Sequence, residues 1–125
     1  MPLRWEISHA DELVVIIGTG VVVLKDVEAY LDDIVTAACM PYAKIFDATD
    51  VIFKHDDHDI MMLGARISAY AGSLKGGPLA FVSTNEATRA SMGRYINLAA
   101  RAERPTAVFP TREKARAWID AQPKD

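Results

Sequence analysis

Short apolar runs alternate with amphipathic stretches along most of this chain. Near the N-terminus, Leu3–Ser8 alternates apolar and polar residues, and Leu13–Ile17 is a continuous apolar run that is β-branched after its first residue. Three further apolar runs follow, and each is flanked by stretches with helical spacing. Strands joined by helices require right-handed crossovers and a largely parallel sheet. We therefore predict an α/β fold: an N-terminal β-hairpin, then alternating helices and strands in a mixed, mostly parallel sheet of four to five strands with about four helices.

The helices are predicted from apolar residues that recur three and four positions apart. The first helix carries this pattern from Val27 to Ala38, and Pro41 should stop it. The second spans about Asp57–Ala71, the third begins near Asn85, and Thr111 caps the fourth. The strands between the helices are predicted at Ala43–Asp47, Leu79–Val82 and Thr106–Phe109.

Size and charge narrow the possible classes of protein. A chain of 125 residues fits one domain, here 1–125, and buries enough surface to fold without a disulfide or metal. Its 14 basic and 17 acidic residues give a net charge of −3, which does not support binding to nucleic acid or membrane surfaces. No apolar run is long enough to span a bilayer, and the first residues lack the apolar core of a signal peptide. We therefore expect a cytoplasmic protein.

The segment Ile45–Gly64 combines a buried strand, an exposed turn and the first turns of an amphipathic helix. Its order and spacing resemble the signature of STAS domains, the family of sulphate-transporter tails and anti-sigma-factor antagonists. The start of the chain, Trp5–Leu31, and its closing strand and helix, Val108–Ile119, resemble the small bacterial SpoIIAA-like members. The resemblance covers essentially the whole chain. It implies a STAS fold and a noncatalytic module that presents helix two and the preceding turn to a partner.

The turn before helix two departs from the pattern of that family. STAS domains commonly carry Asp-Ser-Ser-Gly there, and the second serine is a phosphoacceptor. Here the four positions are His55, Asp56, Asp57 and His58, so Asp57 stands where the phosphoacceptor would be. A carboxylate at a helix N-terminus either mimics the charged state permanently or simply stabilises the helix by about 0.3–1 kcal/mol. Both interpretations stay open from the sequence.

A partner-binding surface is predicted around this turn. Met61 and Met62 fall off the inward stripe of helix two, and exposed methionines suit adaptable binding surfaces. The other interpretation of these apolar residues is a second layer of core under a loop. The partner is either another protein or a second copy of the chain, which would make a homodimer. The predicted surface comprises Ile52, Phe53, His55, Asp57, His58, Met61 and Met62.

Arginines on helix three and an apolar groove beside it suggest an alternative function. Arg89 and Arg94, with Arg101 and Arg104, form either an anion-binding flank or a solvated basic face. A groove between helix two, helix three and the sheet would then hold a small ligand, with Arg89 or Arg94 near an acidic head group. The alternative is thus a carrier or sensor of a small apolar or anionic ligand.

Metal, phosphate and catalytic sites are not predicted. The His55–Asp59 cluster contains possible metal ligands, but its spacing is unspecific and a solvated, helix-capping turn is the simpler interpretation. Gly72–Gly77 precedes a strand, whereas a phosphate-binding loop follows a strand and opens a helix. No Ser-His-Asp, Cys-His or paired-carboxylate arrangement is evident in the sequence. We therefore predict no metal, no cofactor and no enzymatic activity.

Overall fold

A computed structural model describes residues 2–71, 76–101 and 104–123. Strands β1 (Leu3–Ser8) and β2 (Leu13–Val22) form an antiparallel hairpin at one edge of a sheet. Strands β3 (Ala43–Phe53), β4 (Leu79–Val82) and β5 (Thr106–Phe109) follow in chain order, each parallel to its predecessor. The helices are α1 (Leu24–Thr36), α2 (Asp57–Ala71), α3 (Glu86–Arg101) and α4 (Arg112–Asp120). The predicted α/β architecture is confirmed, with five strands and four helices in the described part.

The helices lie on both faces of the sheet. Helices α1, α2 and α3 cover one face, where Ile34, Leu63 and Met92 pack into a core with buried strand residues. Helix α4 covers the other face and contributes Ala115 and Ile119 to a smaller core. This arrangement follows from the chain order, because right-handed crossovers between successive parallel strands place their helices on one side.

Strands β2 and β3 extend beyond their neighbours as a two-stranded ribbon. The prediction that β3 ends at Asp47 is wrong: the strand continues to Phe53, with a register shift after the Ile17–Asp47 pair. The polar residues Asp47, Thr49 and Asp50 interrupt the apolar pattern, but residues 50–53 pair with residues 19–22 of β2, which keeps the backbone extended. Val21 and Val22 accordingly continue β2 rather than form a separate strand.

Helix α1 ends earlier than Pro41, and for a different reason. Ala38 adopts a left-handed conformation with φ of 59°. Its N–H donates to the carbonyl of Val35 (3.1 Å), and the Cys39 N–H donates to the carbonyl of Ile34 (2.9 Å). These two bonds satisfy carbonyls that the last helical turn leaves without partners. Ala38 is therefore exposed rather than part of the buried stripe that its spacing predicted.

Lys44, at the start of β3, is a buried amine beneath the end of α1. Its side chain is 2% exposed, and Nζ donates to the carbonyls of Cys39 (2.9 Å), Met40 (2.7 Å) and Tyr42 (2.6 Å). Burial, together with the charge of Arg104, lowers the pKa of Lys44 to about 6. The three carbonyls oppose this, because they match the three hydrogens of an ammonium group. Lys44 thus fixes the connection between α1 and β3.

Candidate functional site

A reciprocal pair of aspartates caps the N-terminus of α2. The Asp59 N–H donates to the Asp56 carboxylate (2.8 Å), and the Asp56 N–H donates to the Asp59 carboxylate (3.1 Å). The hydrogen bond from the Asp59 backbone lowers the pKa of the Asp56 carboxyl. Asp56 is therefore the N-cap residue, and Asp57 is the first residue of the helix. This leaves the Asp57 side chain exposed and not needed for capping.

Arg94, on α3, contacts the turn that precedes α2. Its guanidinium donates to the carboxylate of Asp57 and to the carbonyl of His55 (3.2 Å). The ion pair joins two exposed side chains, so it adds little to the free energy of unfolding. Its effect is geometric: it links the first residue of α2 and the end of the preceding turn to the neighbouring helix.

Beside this ion pair, His55 lies in an aromatic cluster. Its ring centroid is 5.5 Å from that of Tyr95 and 6.0 Å from that of Phe53, and the Phe53 and Tyr95 rings are 5.0 Å apart. Both ring nitrogens of His55 and the hydroxyl of Tyr95 are buried with no hydrogen-bond partner among the described residues. Burial is the largest influence on the pKa of His55 and lowers it. Sequence reasoning missed this cluster, although the spacing of Phe53 and His55 in an extended segment indicates a shared face.

The predicted partner surface is divided by the sheet. Met61 and Met62 are exposed on α2, at 63% and 47%, near the exposed side chains of Asp57 and His58. Phe53 turns toward α3, so its strand neighbour Ile52 must point to the opposite face. There Ile52, 63% exposed, is paired with the exposed Val21 of β2. The residues at the start of α2 therefore share one surface, and Ile52 belongs to another.

The predicted arginine flank is not one surface. Arg89 and Arg94 are five residues apart on α3, which separates them by about 140° around the helix axis. Arg104 follows α3 and is partly buried, and its Nε donates to the carbonyl of Gly77 (2.5 Å). The side chain of Arg101 lies outside the described part of the chain. Arg94 thus contacts Asp57 and the turn before α2. The possible anion-binding role of Arg89 and Arg94 stays a prediction.

The described residues also bear on the metal and carrier hypotheses. His55 faces the aromatic cluster, whereas His58 is exposed. No group of three His, Cys, Asp or Glu side chains that could hold a metal ion is found within residues 2–71, 76–101 and 104–123. On the face covered by α1, α2 and α3, Phe46, Leu63, Phe81 and Met92 belong to one buried apolar cluster, and the carrier hypothesis stays a prediction.

Two further observations concern loops and membranes. Gly72–Lys75, which belongs to the segment that the sequence indicates is not a phosphate-binding loop, lies outside the described residues, so that interpretation stays a prediction. None of the helices, over the ranges that the structure describes, is long and apolar enough to cross a membrane.

Solved structures share this architecture. An uncharacterised protein of the DUF3478 family with a SpoIIAA-like fold, from Shewanella loihica, aligns over 94% of this chain and 91% of its own, with a TM-score of 0.60 and 15% identity. The anti-sigma factor antagonist SpoIIAA in its unphosphorylated form aligns over 96% and 99%, with a TM-score of 0.58 and 13% identity. The chain has a SpoIIAA-like fold. This confirms the fold that the sequence resemblance implied.

A third solved structure that shares this architecture is an anti-sigma factor antagonist from Mycobacterium paratuberculosis. It aligns over 94% of both chains, with a TM-score of 0.58 and 17% identity. No protein-family model and no curated protein sequence matches the chain. Because identities of 13–17% show the fold alone, function has to be argued from the residues at the start of α2.

Proposed function

We propose that this chain is a noncatalytic regulatory module that binds a protein partner through the first turns of α2. The observation that carries the proposal is the exposed Asp57, paired with Arg94, beside the exposed Met61 and Met62. Asp57 takes the place that a phosphoacceptor serine has in the STAS pattern. Two solved structures with this fold are anti-sigma factor antagonists, which supports a regulatory role.

Asp57 gives this surface a permanent charge. A phosphoserine carries about −1.5 to −2 charges at neutral pH, whereas Asp57 carries one, and Arg94 offsets it. A serine kinase cannot change this position. We therefore propose that phosphorylation at this turn does not change the charge of the surface. The partner would recognise the neutralised Asp57–Arg94 ion pair and the apolar side chains beside it.

The two methionines supply the apolar part of the surface. Met61 lies one helical turn after Asp57 and Met62 follows it, and both side chains are mostly exposed. An unbranched thioether adapts to a partner surface, and exposed apolar side chains that become buried contribute strongly to association. A second copy of the chain would meet the same requirement, so self-association is included in the test.

The experiment is affinity capture with the intact chain and four variants. Asp57→Ser removes the ion pair, and Met61→Ala with Met62→Ala removes the apolar side chains. Ile52→Ala is the matched control, since Ile52 is as exposed as Met61 but lies on the opposite face. We expect the first three variants, alone or combined, to weaken capture and the control to retain it. Capture that is unchanged in all variants would refute the surface, and sedimentation velocity on the same proteins distinguishes self-association from a second protein.

A further inference from the structure

The aromatic cluster around His55 is directly connected to the proposed binding surface. The His55 ring packs against Phe53 and Tyr95, while the carbonyl of the same residue accepts a hydrogen bond from Arg94. Arg94 in turn pairs with Asp57. The position of the His55 ring and the position of the Asp57 side chain are therefore linked through one arginine.

Protonation changes what the His55 ring requires. A neutral imidazole has one N–H donor and one acceptor, whereas an imidazolium has two donors and a positive charge. Both ring nitrogens of His55 are shielded from water and make no hydrogen bond of good geometry in the described part of the chain, although the backbone of Val23 interacts with the ring and favours its protonated form. Even with the Val23 backbone as an acceptor, a protonated ring inside the cluster would hold at least one unsatisfied donor and an extra charge, and movement into water would satisfy both.

Charged groups face His55 from three helices. Asp26 of α1 and Asp59 of α2 attract a protonated ring, and Arg94 of α3 repels it. Burial outweighs both this attraction and the favourable backbone contact with Val23, so the pKa of His55 lies below its ordinary value of about 6.5. A lowered pKa means that the cluster favours the neutral ring. The packed arrangement is therefore stable at neutral pH and loses stability as the pH falls through that lowered pKa.

We propose that His55 is a pH-sensitive switch for the start of α2. In mild acid the protonated ring leaves Phe53 and Tyr95, the turn moves away from Arg94, and the Asp57–Arg94 ion pair opens. The inference rests on the proposed function, because the segment that it rearranges is the proposed binding surface. Protonation would thus regulate a surface that a serine kinase cannot.

NMR titration of the isolated chain between pH 7.5 and 5.0 tests the switch. We expect the His55 ring to titrate below pH 6.5, and the amides of Asp57, Asp59 and Ile60 to shift with the same midpoint. We also expect hydrogen exchange at Ile60, whose N–H donates to the Asp56 carbonyl, to accelerate about tenfold beyond the intrinsic pH effect.

Two histidine variants make the result specific. His55→Phe keeps an aromatic ring in the cluster and cannot titrate, so the shared midpoint and the faster exchange should disappear. His58→Gln removes the exposed neighbouring histidine and should leave both responses unchanged. Titration of His55 without a response in α2, or the same response in His55→Phe, would overturn the proposal. The titration needs no partner, so a failed partner capture and a failed switch are separate results.

Discussion

Gly18 provides a quantitative test of how β2 and β3 pack where the ribbon leaves the sheet. A Cβ atom placed on Gly18 would lie 2.3 Å from Cγ2 of Val51 and 3.2 Å from Cδ2 of Leu3. Carbon atoms pack at about 3.5–4.0 Å, so Val51 would have to move by more than about 1 Å. Val51 is 2% exposed and has no open space to enter. We expect Gly18→Ala to lower the free energy of unfolding by about 2 kcal/mol, within the range for overpacked cores.

A double-mutant cycle separates this clash from other effects of the substitution. Val51→Ala alone removes two buried methyl groups and should cost about 2 kcal/mol. In the double variant, the methyl of Ala at position 18 enters the space that Val51 has vacated. The combined loss should therefore be smaller than the sum of the single losses by at least about 1 kcal/mol.

Urea denaturation of the three variants measures these free energies, provided that the slope with urea stays constant. Gly93→Ala is the matched control, because a Cβ there meets no atom within 4 Å and Gly93 lies inside α3. Alanine is favoured over glycine in a helix by about 1 kcal/mol, so this variant should be neutral or more stable. Additive losses in the double variant, or a Gly18→Ala as stable as Gly93→Ala, would refute the packing argument.

Two further predictions concern the end of α1 and the buried lysine. Ala38→Gly should raise the free energy of unfolding by up to about 1 kcal/mol in thermal or urea melts, because glycine removes the strain of φ at 59°. Ala37→Gly is the control: its φ of −79° is unstrained, so glycine there should lower the free energy of unfolding. The free energy of unfolding should rise between about pH 6 and pH 9, because the unfolded chain holds the Lys44 proton more tightly than the folded chain does. Urea melts should show this rise in the wild type and not in Lys44→Met. An equal rise in both proteins would contradict the lowered pKa of Lys44.

The order of strands and helices could be predicted because each element carries its own periodicity. The sequence misled at the end of β3, where strand pairing overrides the local pattern, and at the end of α1, where the backbone conformation does so. The polar stretch Asp47–Asp50 marks a strand end locally, but pairing with β2 continues the strand to Phe53. Ala38 fits the apolar stripe of α1 by spacing, yet the chain leaves the helix at that residue through a conformation that alanine rarely adopts. Such choices depend on neighbours that are distant in sequence.

The candidate site was only partly predictable for the same reason. Asp57, Met61 and Met62 could be identified because helical spacing and the resemblance placed them on an exposed surface. The pairing of Arg94 with Asp57 could not be predicted, since it depends on how α3 is packed against the turn before α2. The face to which Ile52 points is set by the extra length of β3, which the sequence did not indicate.

The central claim, that the first turns of α2 bind the partner, is tested most directly by comparing dissociation constants. The captured partner, or the chain itself if it self-associates, is titrated with wild type, with the combined Met61→Ala and Met62→Ala variant, and with Ile52→Ala. Loss of two apolar contacts of about 1 kcal/mol each predicts at least a tenfold weaker dissociation constant for the methionine variant. The account predicts less than a twofold change for Ile52→Ala. Equal affinities for wild type and the methionine variant, or a larger loss from Ile52→Ala, would contradict it.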